Sequence, residues 1–252
     1  MPVFSNPISS QNTATSGGIR KYPNLSELFS GVILGDDFDR ETLNPTNTFP
    51  LYTAAVTGSG TNTIASSART LALVTSASLN DNNSVRTGQQ TFTRTAVFKD
   101  IDVRSELTLS LACDIPTATS IQGFLGFLAS TAQVTALPTT TAHMGLYFDT
   151  SATGNVMLSY ADGSTQTTSD TGIAISGFAN ESNQLLLQVI FNGDTSCVIT
   201  AYKQTASGRT LLGTLTNTAS TVNATYELHF FVKTLTTAAR TLNVTEWWVS
   251  AT

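Results

Sequence analysis

The chain is poor in charged residues, and this shortage argues against a class of partners. Only 12% of its 252 residues are Asp, Glu, Lys or Arg, and the net charge is −5. That charged share is about half the usual one. The 12 Lys and Arg residues are scattered along the chain, so no basic patch of the kind that binds DNA or RNA is indicated. We expect no nucleic-acid partner.

Long hydrophobic runs are also missing. No apolar stretch approaches the roughly 20 residues that a membrane helix needs. The N-terminal sequence MPVFSNPISS has neither the basic nor the apolar region of a secretory signal. We therefore expect no membrane insertion and no cleaved signal.

Histidine and cysteine are equally scarce. His143 and His229 each stand alone in an apolar, strand-like run, which favours core or sheet-surface positions over a metal site or a Ser-His-Asp triad. Cys113 and Cys197 lie in similar runs, a setting more typical of buried thiols, although a disulfide between them remains the alternative.

What the chain does have is threonine, a β-branched residue that favours extended backbone, in segments of period-two alternation. In RSELTLSLA (104–112), every second residue is leucine. A hairpin is predicted over residues 143–165, with a tight turn at Asp162-Gly163, and three strands are predicted over residues 184–216. A dozen or so short strands with frequent turn signals predict an all-β fold, a jelly-roll sandwich of two antiparallel sheets.

The C-terminal segment RTLNVTEWWV contains a break in this alternation. Leu242 and Trp247 have opposite parity, so both can face the core only if the strand slips by one residue. We predict a β-bulge near Thr245 or Glu246.

Residues 1–34 differ in composition from residues 35–252, which are assigned to the sandwich domain. The first segment is polar and is predicted to be an extended arm, with one short helix at LSELF. Isolated apolar residues in it are candidate anchors for a partner. The alternative is that residues 20–34 fold back on their own domain. The candidate anchors are Phe4, Ile8, Ile19, Tyr22, Leu25, Leu28 and Phe29.

The strand KDIDVRSE is a candidate glycosidase site because it carries three acids of the same parity. Asp102 and Glu106 would lie about 13 Å apart, beyond the roughly 9.5 Å upper limit for a catalytic pair. Asp100 and Asp102 would be about 7 Å apart, but near the start of a strand a solvated outer face is favoured. No catalytic residue is assigned.

A second acidic stretch, GDDFDR, is a candidate calcium site. Hard cations take several carboxylate oxygens, and Asp36, Asp37 and Asp39 supply three. The favoured interpretation is that Phe38 points into the core while the three acids stay in water. No metal is assigned, and calcium is the alternative.

Three segments, GDDFDRETLNP, LLLQVIFNGDTSCVITAY and RTLNVTEWWV, resemble the concanavalin A-like lectin/glucanase sandwich over residues 36–252. The resemblance implies that jelly-roll fold. The Glu-x-Asp-x-x-Glu string of laminarinase-type glycoside hydrolases is absent, and legume-lectin metal ligands are not recognisable. Neither activity is therefore implied.

The polar arm and threonine-rich sandwich also resemble virion proteins of tailed bacteriophages, in particular capsid decoration proteins. This resemblance implies a non-catalytic protein on the capsid surface of the virion that binds the major capsid protein as a homo-oligomer, with a homotrimer favoured. The alternative function is a carbohydrate-binding or host-receptor-binding module. Its candidate aromatic platform is Trp247, Trp248 and Tyr160, with Tyr147 and Tyr202 as further candidates.

Overall fold

The computed structural model describes residues 33–36, 38, 52–65, 69–87, 92–93, 107–130, 132–192, 196–217 and 225–251. The arm anchors, the helix predicted at LSELF and the acids of KDIDVRSE lie outside these ranges. Within the described residues the regular secondary structure consists of strands, apart from one 3-10 turn at Ile175–Gly177. No helix in this part of the chain is long and apolar enough to span a membrane.

The described residues form sixteen strands in two antiparallel sheets, which confirms the predicted fold class. Sheet I contains β1 (Ile33–Asp36), β3 (Thr61–Ala65), β4 (Thr70–Val74), β7 (Leu107–Asp114), β12 (Asn183–Asn192), β13 (Ser196–Thr205), β14 (Gly208–Asn217) and β16 (Thr241–Ala251). Sheet II contains β2 (Thr53–Val56), β5 (Asn82–Arg86), β6 (Phe92–Thr93), β8 (Ile121–Leu128), β9 (His143–Asp149), β10 (Asn155–Ala161), β11 (Gln166–Ala174) and β15 (Thr225–Thr234).

The strand order places non-consecutive strands side by side, as in a jelly roll. Sheet I runs β14-β13-β12-β7-β16-β4-β3, and β1 lies beside the C-terminal half of β16. Sheet II runs β11-β10-β9-β8-β15-β5-β2, and β6 pairs with the start of β15. The two ends of the domain sequence therefore meet in the middle of sheet I.

The core lies between the sheets and is filled by alternate side chains of the central strands. On β7, Leu109 and Leu111 are buried, whereas Ser110 on the opposite face is partly exposed. Cys113 continues the inward set, and Cys197 is buried on β13. Both cysteines are free, so the disulfide alternative is wrong.

The predicted bulge in the last strand is confirmed. The pairing of β16 with β7 shifts register between Val244 and Glu246. As a result Leu242, before the shift, and Trp247, after it, are both fully buried. One inserted residue thus restores the inward face of the strand.

The hairpin predictions are confirmed as well. Strands β9 and β10 pair in register, and β10 continues into β11 through the Asp162-Gly163 turn. Asp162 Oδ1 accepts backbone hydrogen bonds from Ser164 and Thr165, at 2.8 Å each, and these bonds hold the pKa of its carboxyl below the usual value. Gly163 has a φ of 101°, which glycine tolerates.

The prediction for GDDFDR is half right. Phe38 is fully buried, as expected, but Asp36 is buried too and does not stay in water. Its Oδ1 accepts the Phe38 backbone N–H at 2.9 Å, and its Oδ2 accepts the Tyr52 hydroxyl at 2.7 Å. Tyr52 Oη accepts the Trp247 indole N–H, also at 2.7 Å. The acid is tolerated in the interior because its charge is hydrogen-bonded.

Candidate functional site

Two of the three residues predicted to form an aromatic platform are not available to a ligand. Trp247 is 1% exposed and Tyr160 is 3% exposed, because both point between the sheets. Trp248, the third, has the opposite parity and lies partly exposed on the outer face of sheet I. Tyr202, on β13, is partly exposed on the same face.

Trp248 and Tyr202 line one shallow pocket on that outer face. The pocket floor is formed by β7, β12 and β13, and the strands on either side contribute a base, Arg209 from β14, and an acid, Glu246 from β16. Between the two aromatic rings lie Ser110 and Gln188. The site is therefore built on rigid strands, with an aromatic side chain toward each end.

The registers of four strand pairs place five side chains in one row across the sheet. Thr214 pairs with Thr200, and Thr200 with Gln188. Gln188 pairs with Ser110, and Ser110 with Trp248. With strands about 4.8 Å apart, this row, which we call the polar row, spans roughly 19 Å.

Bulkier side chains flank the polar row on both sides. On one side, Leu186 and Tyr202 each lie two positions along their strand from the row. Leu211, which is 59% exposed, pairs with Tyr202 on the next strand. Two residues along on the other side lie Ile190 and Val198, both partly exposed. Because three of the five row residues are small hydroxyl side chains, the row forms a shallow groove that runs across the strands.

The central polar groups of this groove have no protein partner. Six glutamines occur in the described residues, and five of them use their amide in a hydrogen bond; Gln166, for example, donates to both Ser159 and Pro138. The amide of Gln188 makes no hydrogen bond with the described residues. Within the same part of the chain, the hydroxyls of Ser110, Thr200 and Thr214 also make none. A groove with apolar walls and unused donors and acceptors can bind a ligand that has both apolar faces and hydroxyl groups.

The opposite outer face, on sheet II, is partly covered. Residues 132–142, which we call the strap, cross it between β8 and β9. Val134 and Leu137 of the strap pack on Phe124 and Phe231, both fully buried beneath it. Gln133 fixes the strap through its amide, which accepts from Ser84 Oγ at 2.6 Å and donates to Thr53 O at 3.0 Å.

Both histidines lie on this covered face, as buried neutral groups. His143 Nδ1 donates to Thr141 O, and its Nε2 accepts from Ser159 Oγ, both at 2.7 Å. His229 Nε2 donates to Ser130 O at 3.0 Å. Burial lowers the pKa of both rings, that of His229 to about 4. The prediction of core or sheet-surface histidines is confirmed.

A buried ion pair sits beside His229. Arg86 Nη1 donates to Glu227 Oε2, and both side chains are largely buried. Glu227 and Arg86 neutralise each other, so this acid is used in the fold and is not paired with a second carboxylate in the way a glycosidase requires.

Sheet II offers a competing surface around Tyr147, another candidate from the sequence, which is partly exposed and packs against the cluster beneath the strap. Burial raises the pKa of its hydroxyl, and the nearby Asp149 and Asp170 raise it further. Here the polar side chains satisfy each other, since Gln122 donates to Asp149 and Asn155 donates to Asp170.

Sequence reasoning named Trp248 and Tyr202 as candidates but missed the polar row itself. Gln188 could have been noticed as the single polar residue in LLLQVIF. Ser110 and Thr200 give no such signal, because the side-by-side placement of β7, β12 and β13 is not encoded in local alternation.

The calcium alternative finds little support at Asp36, because both carboxylate oxygens already accept hydrogen bonds. Asp37 and Asp39 lie outside the described residues. Within the described part of the chain, no group of three or more His, Cys, Asp or Glu side chains could hold a metal ion.

No protein-family model matches the sequence, and no curated protein matches it. Solved structures do resemble the fold. Peanut lectin with a 9mer peptide has a TM-score of 0.56 at 10% identity, covering 88% of this chain and 97% of the lectin. The exoplasmic/lumenal domain of VIP36 in its calcium- and Man2-bound form has a TM-score of 0.54 at 10% identity, covering 82% and 83% of the two chains.

A third similar structure is the CBM2 module of the evolved Dit of Lactobacillus casei BL23 phage J-1. Its TM-score is 0.55 at 14% identity, and the match covers 88% of this chain and 95% of the module. At such identities the likeness shows the fold alone. The concanavalin A-like jelly roll implied by the sequence is thereby confirmed.

Proposed function

We propose that the protein is a non-catalytic carbohydrate-binding module whose site is the groove along the polar row. Sugar rings combine apolar C–H faces with hydroxyl groups at their edges. The partly exposed rings of Trp248 and Tyr202 can stack on the C–H faces, and the amide of Gln188 can hydrogen-bond to the hydroxyl groups. A binding function needs no acid–base pair.

The observation that carries the proposal is the unused amide of Gln188 between two aromatic side chains on rigid strands. A surface that served only to keep the sheet soluble would need no aromatic side chains at both ends. The lectin structures that share the fold support the proposal at the level of architecture, because they show that this sandwich is used for sugar binding in other proteins, such as the Man2-bound VIP36 domain.

The virion location, the homotrimer and the major capsid protein as partner remain predictions from the sequence. They depend on the arm, residues 1–34, of which only residues 33–34 are described. A carbohydrate-binding module on a virion surface would agree with both resemblances noted in the sequence, with the sandwich binding a glycan and the arm binding the particle.

The proposal is tested by screening the full chain on a glycan array and measuring the strongest hit by isothermal titration calorimetry. Trp248→Ala should reduce affinity for that glycan at least tenfold, because it removes an aromatic surface that stacks on the ligand. Gln188→Leu should also weaken binding, because it keeps the volume of the side chain and removes its amide.

The matched control is Tyr147→Ala on the other sheet, which should bind the glycan like the wild type. If Tyr147→Ala loses binding and Trp248→Ala keeps it, the site lies on sheet II and the proposal for the polar row is wrong. An array without any hit, with and without calcium, would overturn the carbohydrate function.

A further inference from the structure

The polar row has a direction, and this direction constrains the shape of its ligand. The row crosses five neighbouring strands, β14, β13, β12, β7 and β16, and each strand contributes one side chain. Its residues therefore repeat at the strand spacing of about 4.8 Å. That repeat is close to the length of one pyranose ring in an extended chain.

The type of side chain in the row changes from an aromatic ring at one end to hydroxyl groups at the other. Trp248 stands at one end, Ser110 and Gln188 follow in the pocket, and Thr200 and Thr214 continue beyond it. Thr200 is only 6% exposed and lies at the bottom of the groove, whereas Thr214 is exposed at the far end. The groove therefore remains open at the edge strand β14.

The walls of the groove continue past the pocket as well. Tyr202 and Leu211 extend one wall toward β14, and Val198 extends the other. A compact ligand such as a single sugar would fill the space near Trp248 and Gln188 and leave the hydroxyls of Thr200 and Thr214 unused. A chain of about four rings would cover the whole row.

We infer that the groove binds a linear, extended glycan that lies across the strands, with one sugar ring for each step from one strand to the next between Trp248 and Thr214, four rings in all. The inference rests on the proposed function, because it names the shape of the ligand for the same site. Arg209 and Glu246 lie on the rim with opposite charges, so no net charge favours an acidic or a basic sugar, and the glycan is of the neutral class.

The test measures affinity against chain length. The probes are linear 1,4-linked oligomers of glucose and of N-acetylglucosamine, from two to six residues, in both anomeric series where available. Wild-type affinity should rise by about fivefold for each added ring up to four rings, one hydrogen bond being worth about that factor, and then level off.

Two valine variants show where the chain lies. Thr214→Val removes the last hydroxyl of the row without changing the shape of the side chain. It should weaken binding of the tetramer and longer oligomers about fivefold and leave the dimer unchanged. Thr216→Val is the matched control, since Thr216 is exposed on the same strand and same face, opposite Val198 and outside the polar row. It should change nothing.

Three results would overturn the inference. Affinity could be independent of length beyond the dimer, Thr214→Val could bind every oligomer like the wild type, or none of the linear oligomers could bind. In each case the proposed function still stands if Trp248→Ala abolishes binding of another glycan on the array, and it falls separately if Trp248→Ala has no effect on any glycan.

Discussion

The hydrogen-bonded chain from Trp247 through Tyr52 to Asp36 is expected to hold the first strand of the sandwich onto the last. Strand β1 pairs with β16, and Asp36 pairs directly with Trp247. Tyr52 joins the two side chains with hydrogen bonds of 2.7 Å on either side of one oxygen atom. Tyr52→Phe removes that single atom and leaves the ring in place.

The expected cost follows from the two bonds that are lost. The bond to the Asp36 carboxylate is charge-assisted and contributes about 2 kcal/mol, and the neutral bond from the indole contributes about 1 kcal/mol. Tyr52→Phe should therefore lower the free energy of unfolding by about 3 kcal/mol. Because a domain is stable by only about 5–15 kcal/mol, the midpoint of a urea titration should fall clearly, with an unchanged m-value.

Fluorescence-monitored urea unfolding provides the measurement, and Tyr160→Phe provides the control. Tyr160 is buried as well, but its hydroxyl makes no hydrogen bond of normal geometry with the described residues, although the side chain of Asn217 lies near enough to act on its pKa. Its loss should leave stability unchanged or slightly higher. If Tyr52→Phe stays within about 0.5 kcal/mol of the wild type, the chain of hydrogen bonds does not hold the two strands together, and the reasoning is refuted.

Three further predictions concern sheet II. Gly126→Ala should destabilise the domain by more than about 3 kcal/mol in the same titration, because a Cβ there would lie 2.3 Å from Met144 O at a φ of 147°; a normal midpoint would contradict this. Arg86→Met should cost about 3–5 kcal/mol, because it leaves the Glu227 carboxylate buried and unpaired, and Arg86→Met combined with Glu227→Gln should recover part of the loss. The free energy of unfolding should fall as pH drops from about 6.5 to about 4, because unfolded chains protonate His229 while the folded protein keeps it neutral. The loss from this residue approaches about 3 kcal/mol and is absent in His229→Gln. If the variant loses stability in acid as the wild type does, the assignment is wrong.

The fold class could be predicted from the sequence because several strands, among them β7 and β16, carry their own signal. Alternation in LTLSLA places Leu109 and Leu111 on one side of the strand. In RTLNVTEWW, Leu242 and Trp247 have opposite parity, so a bulge between them is needed for both to face the core. Such signals are local, since the side-chain period of a strand is two whatever its partner.

The position of Asp36 could not be predicted in the same way. Acids in a loop-like stretch are usually solvated, and the sequence gives no sign that Tyr52 and Trp247 lie within reach. Their hydrogen bonds join residues 16 and 195 positions apart. A buried acid of this kind is stabilised by partners that only the tertiary fold brings together.

The polar row had the same limitation. Parity shows that Ser110, Gln188 and Thr200 face outward, but their alignment depends on the order β13-β12-β7 and on the register of each pair. Likewise, parity could place Trp247 and Trp248 on opposite faces without deciding which ring stays exposed. The bulge decides it, because it turns Trp247 inward and Trp248 outward.

If the groove binds a glycan as proposed, its ligand has to be long. Exchanging a hydrogen bond with water for one with a sugar hydroxyl gains only about 1 kcal/mol. One such contact and one stacked ring would leave a monosaccharide at millimolar affinity or weaker, since a Kd of 1 mM already corresponds to about −4.1 kcal/mol. The free energies of four aligned hydrogen-bonded contacts add up, whereas the entropic cost of immobilising the ligand arises largely once. Only a chain that follows the row from Trp248 to Thr214 would therefore reach a Kd in the micromolar range.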